Sequence, residues 1–310
     1  MITSPALLAR KAAGKLGVAQ QFLAPDRGEP IVLMYHGVEA GSESGDHKHL
    51  SDGRFREQVR MLKQHRRVVP LTTLIDGLLS RSDCRGMVAL TFDDGYLNNV
   101  QCAAPILLEH SMSATFFLTT GFIGAGRWAW TDRIEYVVSA APGLKEDRTE
   151  LLRRMKAQLK ELDWRVAEQR VAEFAAQCEV PDAPPHGRYR FMGWDDARAL
   201  VSAGFEVGAH TVNHAILSRV PLETATEEIL ESAARVKAET GSCSRTFCYP
   251  NGKHADYTPG VMEVCRQHFD AALAAEPGAA RLEERFEIRR IGVDGGTSLQ
   301  RLAARLLQGN

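Results

Sequence analysis

The sequence predicts a parallel α/β barrel. Strand-like and helix-like stretches alternate along most of the chain. The strand candidates are short and nearly all apolar, as strands covered on both faces must be. Residues that can bind metal or move protons follow several strands at the same, C-terminal end, where barrel enzymes keep their chemistry.

IVLMYH (31–36) is β-branched and apolar, with a glycine after it. FREQVRMLKQH (55–65) has apolar residues at helical spacing. VVPL (68–71) is a brief strand and LTTLIDGLLS (71–80) a short helix. MVALTF (87–92) is a strand, NVQCAAPILLEH (99–110) a helix and SATFFLTT (113–120) a strand. Residues 148–180 are helical by periodicity. WDDARALVSAG (194–204) is a helix ended by Gly204, and FEVGAH (205–210) a strand. A long helix over 222–241, again closed by glycine, leads to the strand RTFCYP (245–250). A helix over 258–268, strands at 270–275 and 286–293, and a tail helix over 298–307 complete about eight strand candidates. The segment from about 124 to 190 interrupts the alternation and reads as a helical insertion. No GxGxxG follows the first strand, which disfavours a dinucleotide fold.

At 310 residues the chain is near the size at which a single core stops growing. Apolar residues make up 44% and charged residues 25%, ordinary for a globular protein. With 38 basic against 39 acidic residues, nothing marks a nucleic-acid partner. No apolar run reaches the roughly 20 residues needed to span a bilayer. Residues 1–30 read as a basic amphipathic helix and lead-in. Arg10, Lys11 and Lys15 interrupt any continuous signal-peptide core, so the expected location is cytoplasmic. That helix either packs on the barrel or lays Leu7, Leu8, Leu16 and Val18 on a membrane surface. The six cysteines form no CxxC pair and read as reduced thiols.

Asp93 and Asp94 end the strand MVALTF, and His210 and His214 follow FEVGA. Two neutral histidines and a carboxylate suit a divalent transition metal with open positions. The second carboxylate can take a proton from water. A lone Asp-Asp pair is more often a cap and a solvated acid, and a lone HxxxH pair more often a surface coincidence. Together, at matching strand ends, they favour a site.

In combination and order, TFDDGY (91–96), HTVNH (210–214) and FCYPNG (247–252) resemble the motifs of the polysaccharide deacetylases, the NodB-like carbohydrate esterases. LMYHGV (33–38) and FMGWDDARALVSAGFEVGAHT (191–211) are similar to the same family. The resemblance spans most of the chain, from about Ile31 to Val293. It implies a distorted (β/α) barrel of about seven parallel strands over 31–310, carrying the insertion. It also implies removal of N-acetyl groups from a sugar or glycan precursor, with a divalent metal, usually zinc. Asp93 matches the base that activates a metal-bound water. Asp94, His210 and His214 match the metal ligands, and Asn251 the residue whose backbone N–H meets the oxyanion.

The chain departs from the pattern twice. Cys248 stands where many members have an arginine that tethers the base, and Arg290 is the substitute candidate, with Arg289 on the opposite face. No histidine after His268 matches the usual general acid. His36 is a candidate for lining the pocket or for that acid, and Asp93 itself is the other. Trp128, Trp130 and Tyr96 are candidates for stacking on sugar rings, against the plainer reading that they pack the insertion. Two rival functions stand beside the deacetylase: an amidohydrolase of small cyclic amides, and an inactive binding protein. The oligomeric state is not legible.

Overall fold

The computed structural model describes residues 28–41, 48–181 and 183–309. The helix expected within residues 1–30 lies outside the described residues, which begin at Gly28.

The barrel is built from parallel strands. β1 (Ile31–Tyr35) pairs with β5 (Met87–Phe92), β5 with β6 (Thr115–Leu118), and β6 with β7 (Glu206–Ala209). On its other edge β1 pairs with β10 (Ile291–Gly292). β8 (Thr246–Cys248) and β9 (Ala271–Leu273) form a parallel pair of their own. A bridge from Leu273 to Ile288 carries that pair back toward β10. The strand ladder is interrupted between β7 and β8, where a single bond from the Ser244 N–H to the Val207 carbonyl (2.6 Å) is described instead. That interruption is the barrel's distortion. Outside this ring, β2 (Gly37–Glu39) pairs with β3 (His49–Ser51), and the two-residue β4 (Arg67–Val68) pairs with the start of β5.

Strand alternation sorts the core. Ile31, Leu33, Val88, Leu90, Phe92 and Phe116 pack outward in one apolar cluster with the helices Asp52–His65 and Leu299–Gln308. Val32, Ala89 and Phe117 turn the other way and join Cys248, Leu273 and Ile288. Following the same alternation, Thr91 and Asp93 share the inner face with Ala89. Thr91 thus turns into the barrel within β5, and Asp93 follows on the same face just past the strand's end.

Two helices differ from expectation. The run 99–110 starts as a π-helical turn (Asn99–Ala103) before the α-helix Ala104–Glu109, because Pro105 has no N–H to give the preceding turn. The stretch 148–180 is two helices, Arg148–Leu159 and Trp164–Gln177. Asp163 breaks them by accepting the Arg165 N–H at 2.8 Å as an N-cap. The reversal lets Leu151, Leu159, Ala167 and Val171 all pack on Trp130, Ile134 and Val138 of the helix Trp130–Ala140. These three helices between β6 and β7 therefore have an apolar core of their own. Asp163→Ala is expected to lower the stability of this segment by about 1 kcal/mol. Hydrogen exchange across 148–177 checks this, and unchanged protection there would contradict the cap.

Candidate active site

Asp93 is 2% exposed, and both of its oxygens are held by one guanidinium. Arg290 Nη1 donates to Oδ1 and Nη2 to Oδ2, each at 2.8 Å. The arginine is itself buried and fixed. Its Nε donates to the Ala274 carbonyl at 2.8 Å, and Nη1 also reaches Thr91 Oγ1 at 3.1 Å. The Cys248 thiol donates to Asp93 Oδ1 at 3.5 Å. Burial opposes ionisation of Asp93, but Arg290, with His210 and His36 adding to it, outweighs burial and holds the carboxyl below its usual range. Arg289 turns outward onto Glu284, at 2.9 Å.

Asp94 adopts φ +76° at the turn into Gly95. Its buried Oδ1 makes no hydrogen bond and lies 3.4 Å from His210 Nε2 and 3.2 Å from His214 Nε2. The His210 Nδ1–H donates to the Cys248 carbonyl at 2.8 Å, which turns the Nε2 lone pair toward Asp94. Burial raises the Asp94 carboxyl, yet His214, His210 and Lys48 bring it well below the ordinary value. The orphaned oxygen, the two imidazole nitrogens and their spacing fit a divalent cation. Asp93, His210 and Cys248 also lie close enough for ligation. That second grouping fits poorly: Asp93 is occupied by Arg290, and burial pushes the Cys248 thiol up, away from the thiolate a metal needs.

The histidine loop is clamped from a helix. Glu228, in the helix Leu222–Thr240, accepts the Val212 N–H at 2.9 Å and the Asn213 N–H at 2.8 Å through Oε2, and the Asn213 amide at 2.7 Å through Oε1. Gly121 brings the loop after β6 against the same turn. Its N–H donates to the Val212 carbonyl at 2.7 Å, and a Cβ there would sit 2.5 Å from that oxygen. The sequence reading missed Glu228. Its signal was an acid at a buried position, among Ala225, Ile229, Ser232 and Val236, on the helix's apolar face.

These groups open into one cavity of about 340 Å³. Met34, His36, Trp130, Ile216, Tyr249 and Asn251 line it beside the two aspartates and two histidines. Asn251 and Gly252 are both left-handed, at φ +59° and +68°, so the PNG turn folds back over the cavity. Burial pushes the His36 imidazole down to about 4, with Asp94 and Asp93 partly opposing. His36 thus lines the pocket as expected but is held neutral, which argues against its reading as the proton-loaded acid.

One aromatic expectation is corrected. Tyr96 is fully buried, stacks on Phe191 at 5.0 Å and does not line the cavity. Its hydroxyl donates to Asp132 at 2.8 Å and accepts from Lys48 at 2.9 Å, so it braces the insertion. Trp128 faces a neighbouring hollow of about 450 Å³. It stacks on Tyr136 at 5.2 Å and donates its indole N–H to the Ala183 carbonyl at 2.7 Å. Trp130 alone of the three reaches the cavity beside Asp94, His210 and His214, and it also lines the hollow that Trp128 faces.

The sequence model of the polysaccharide deacetylase family matches residues 80–268. No curated protein sequence matches the chain. Three similar solved structures share the fold. The Streptococcus pyogenes deacetylase PplD, solved with acetate, is 16% identical with TM-score 0.62, over 90% of this chain and 98% of that one. IcaB from Ammonifex degensii is 20% identical with TM-score 0.61, over 90% and 97%. A de-N-acetylase from Aggregatibacter actinomycetemcomitans is 16% identical with TM-score 0.59, over 90% and 100%.

Two outcomes follow from the geometry. Arg290→Gln leaves a buried carboxylate unpaired and should lower stability by about 3–5 kcal/mol at neutral pH. The Asp93 carboxyl is depressed by folding, so its contribution is present above the unfolded value near about pH 4 and fades as pH falls through the lower folded value. Urea unfolding of both proteins should therefore show the gap narrowing in acid, and a constant gap would contradict the pair's role. Glu228→Ala frees the histidine turn and should weaken binding of zinc, used as a probe cation, roughly 10–100-fold in a chelator competition. Unchanged affinity would show that the turn holds itself.

Proposed function

This chain belongs to the polysaccharide deacetylase family, hydrolases of N-acetyl amide bonds on carbohydrate, and from that premise we propose a metal-dependent N-deacetylase of a sugar or glycan precursor. The observation that supports it best is one cavity holding two chemically distinct aspartates. Asp93 is locked by Arg290, and Asp94 is free toward two histidines.

Asp94, His210 and His214 would hold the cation, zinc by resemblance to the family. When bound, it supplies Lewis-acid polarisation of the acetyl carbonyl and lowers the pKa of water. Asp93 accepts the proton of the attacking water at a carboxylate oxygen. Arg290 keeps that carboxylate ionised and oriented, at the cost of a weaker base. By resemblance to the family, the Asn251 backbone N–H would meet charge developing on the acetyl oxygen. Protonated Asp93 can then return its proton to the leaving amine, since His36 enters the pocket neutral. Trp130 offers a flat apolar wall for a sugar ring.

Acetate release from N-acetylated sugars, with and without added zinc, tests this reading. Asp93→Asn should keep zinc and lose at least about 10²-fold in kcat. Asp94→Ala should lose zinc and activity together. Full activity in metal-free protein would remove the metal from the mechanism, and an active Asp93→Asn protein would remove the base.

A further inference from the structure

The cavity wall is unusually basic for a site that takes a neutral amide. Lys48, Lys156, Lys160, Lys253 and Arg290 line it against only Asp93 and Asp94. Three of these cations have a carboxylate partner. Arg290 is bound to Asp93, Lys48 to Asp132 at 2.6 Å, and Lys156 to Glu135. Lys160 and Lys253 are different: among the described residues, no carboxylate makes an ion pair with either. Lys160 Nζ donates only to a neutral amide oxygen, Asn251 Oδ1, at 2.5 Å. The nearby Asp256 accepts through Oδ2 from the Asn251 amide and from the Lys253 backbone N–H, the latter at 2.8 Å, and makes no ion pair with either lysine. Burial first, then Lys156, push the Lys160 ammonium below its ordinary value, with Asp256 partly opposing and Lys48 and Lys253 adding to the push. A partly buried cation held among like charges is an imbalance that a bound anion relieves.

Resting on the deacetylase reading, we infer that the substrate is an N-acetylated sugar carrying a phosphate or carboxylate group, which Lys160 and Lys253 receive at the mouth of the cavity. Lys160 closes the second helix of the insertion and Lys253 follows the PNG turn, so the anion bridges insertion and barrel. The reacting acetamido group then lies inward, at Asp93 and the metal ligands.

The test is calorimetric titration of the full chain with N-acetylglucosamine 1-phosphate, N-acetylmuramic acid and neutral N-acetylglucosamine. It is run with zinc and without, because a bound metal attracts anions by itself. Acetate release is measured in parallel. At least one of the two anionic sugars should bind roughly tenfold or more tightly than the neutral one, the scale of a charged hydrogen bond. The preferred sugar identifies the anion as phosphate or carboxylate. Lys160→Gln and Lys253→Gln should each reduce the anionic-over-neutral ratio by roughly three- to tenfold in metal-free and loaded protein. Lys145→Gln, an exposed charge away from the cavity, should leave the ratio unchanged. Equal binding of neutral and anionic sugars, or a ratio indifferent to both cavity lysines, overturns the inference even if acetate is released. Lysine-dependent anion preference without acetate from any sugar upholds the anion site at Lys160 and Lys253 and overturns the deacetylase reading on which the substrate assignment rests.

Discussion

The arrangement depends on one buried ion pair, Asp93 with Arg290. It links the end of β5 to the segment entering β10, and through the Ala274 carbonyl to the end of β9. A buried pair of this kind is weak evidence for net stability, because desolvating two charges offsets most of their attraction. What it does supply is geometry. The strand ladder is broken between β7 and β8, so main-chain bonding alone leaves the ring incompletely tied. A planar guanidinium with fixed bonds to Asp93, Thr91 and Ala274 sets how β5, β9 and β10 meet beneath the site.

Backbone strain gathers at the same end. Among the described residues, seven non-glycine residues have positive φ, and Asp94, Thr211, His214 and Asn251 are four of them. Each costs on the order of 1–3 kcal/mol, and for β-branched Thr211 the conformation is a genuine outlier. Compensation is local and visible. Glu228 takes two N–H groups of the histidine turn, and the Thr120 N–H donates to the Thr211 carbonyl at 3.1 Å. The turn that carries His210 and His214 is therefore held by the protein's own bonds.

Much of this was legible in the sequence because period-two alternation does two jobs. It hides Phe92 and exposes Asp93 to the interior, and it turns Arg290 inward while Arg289 goes out to Glu284. The cluster of Asp94, His210 and His214 was legible because its residues follow strand ends. The aromatic rim was not: Tyr96 and Trp128 differ from Trp130 only in which neighbours the insertion offers them, and no periodicity encodes that. The break at Asp163 was hidden inside a pattern helical on both sides of it. Glu228 could have been found, since an acid on an apolar helix face demands a partner. Lys160 could not, because its meeting with Asn251 joins residues 91 positions apart, on elements that share no pattern.

The insertion has a core of its own, made of Trp130, Ile134, Val138, Leu151, Leu159, Ala167 and Val171. It also lends Trp130, Thr131, Lys156 and Lys160 to the cavity. Part of the cavity wall therefore comes from a stretch of chain with its own core, while the strand ends supply the aspartates and histidines. Helices that fold around their own apolar centre can be exchanged while the strands that hold the aspartates and histidines keep their register. A change in the cavity wall that spares the strand ends would run through residues 130–160.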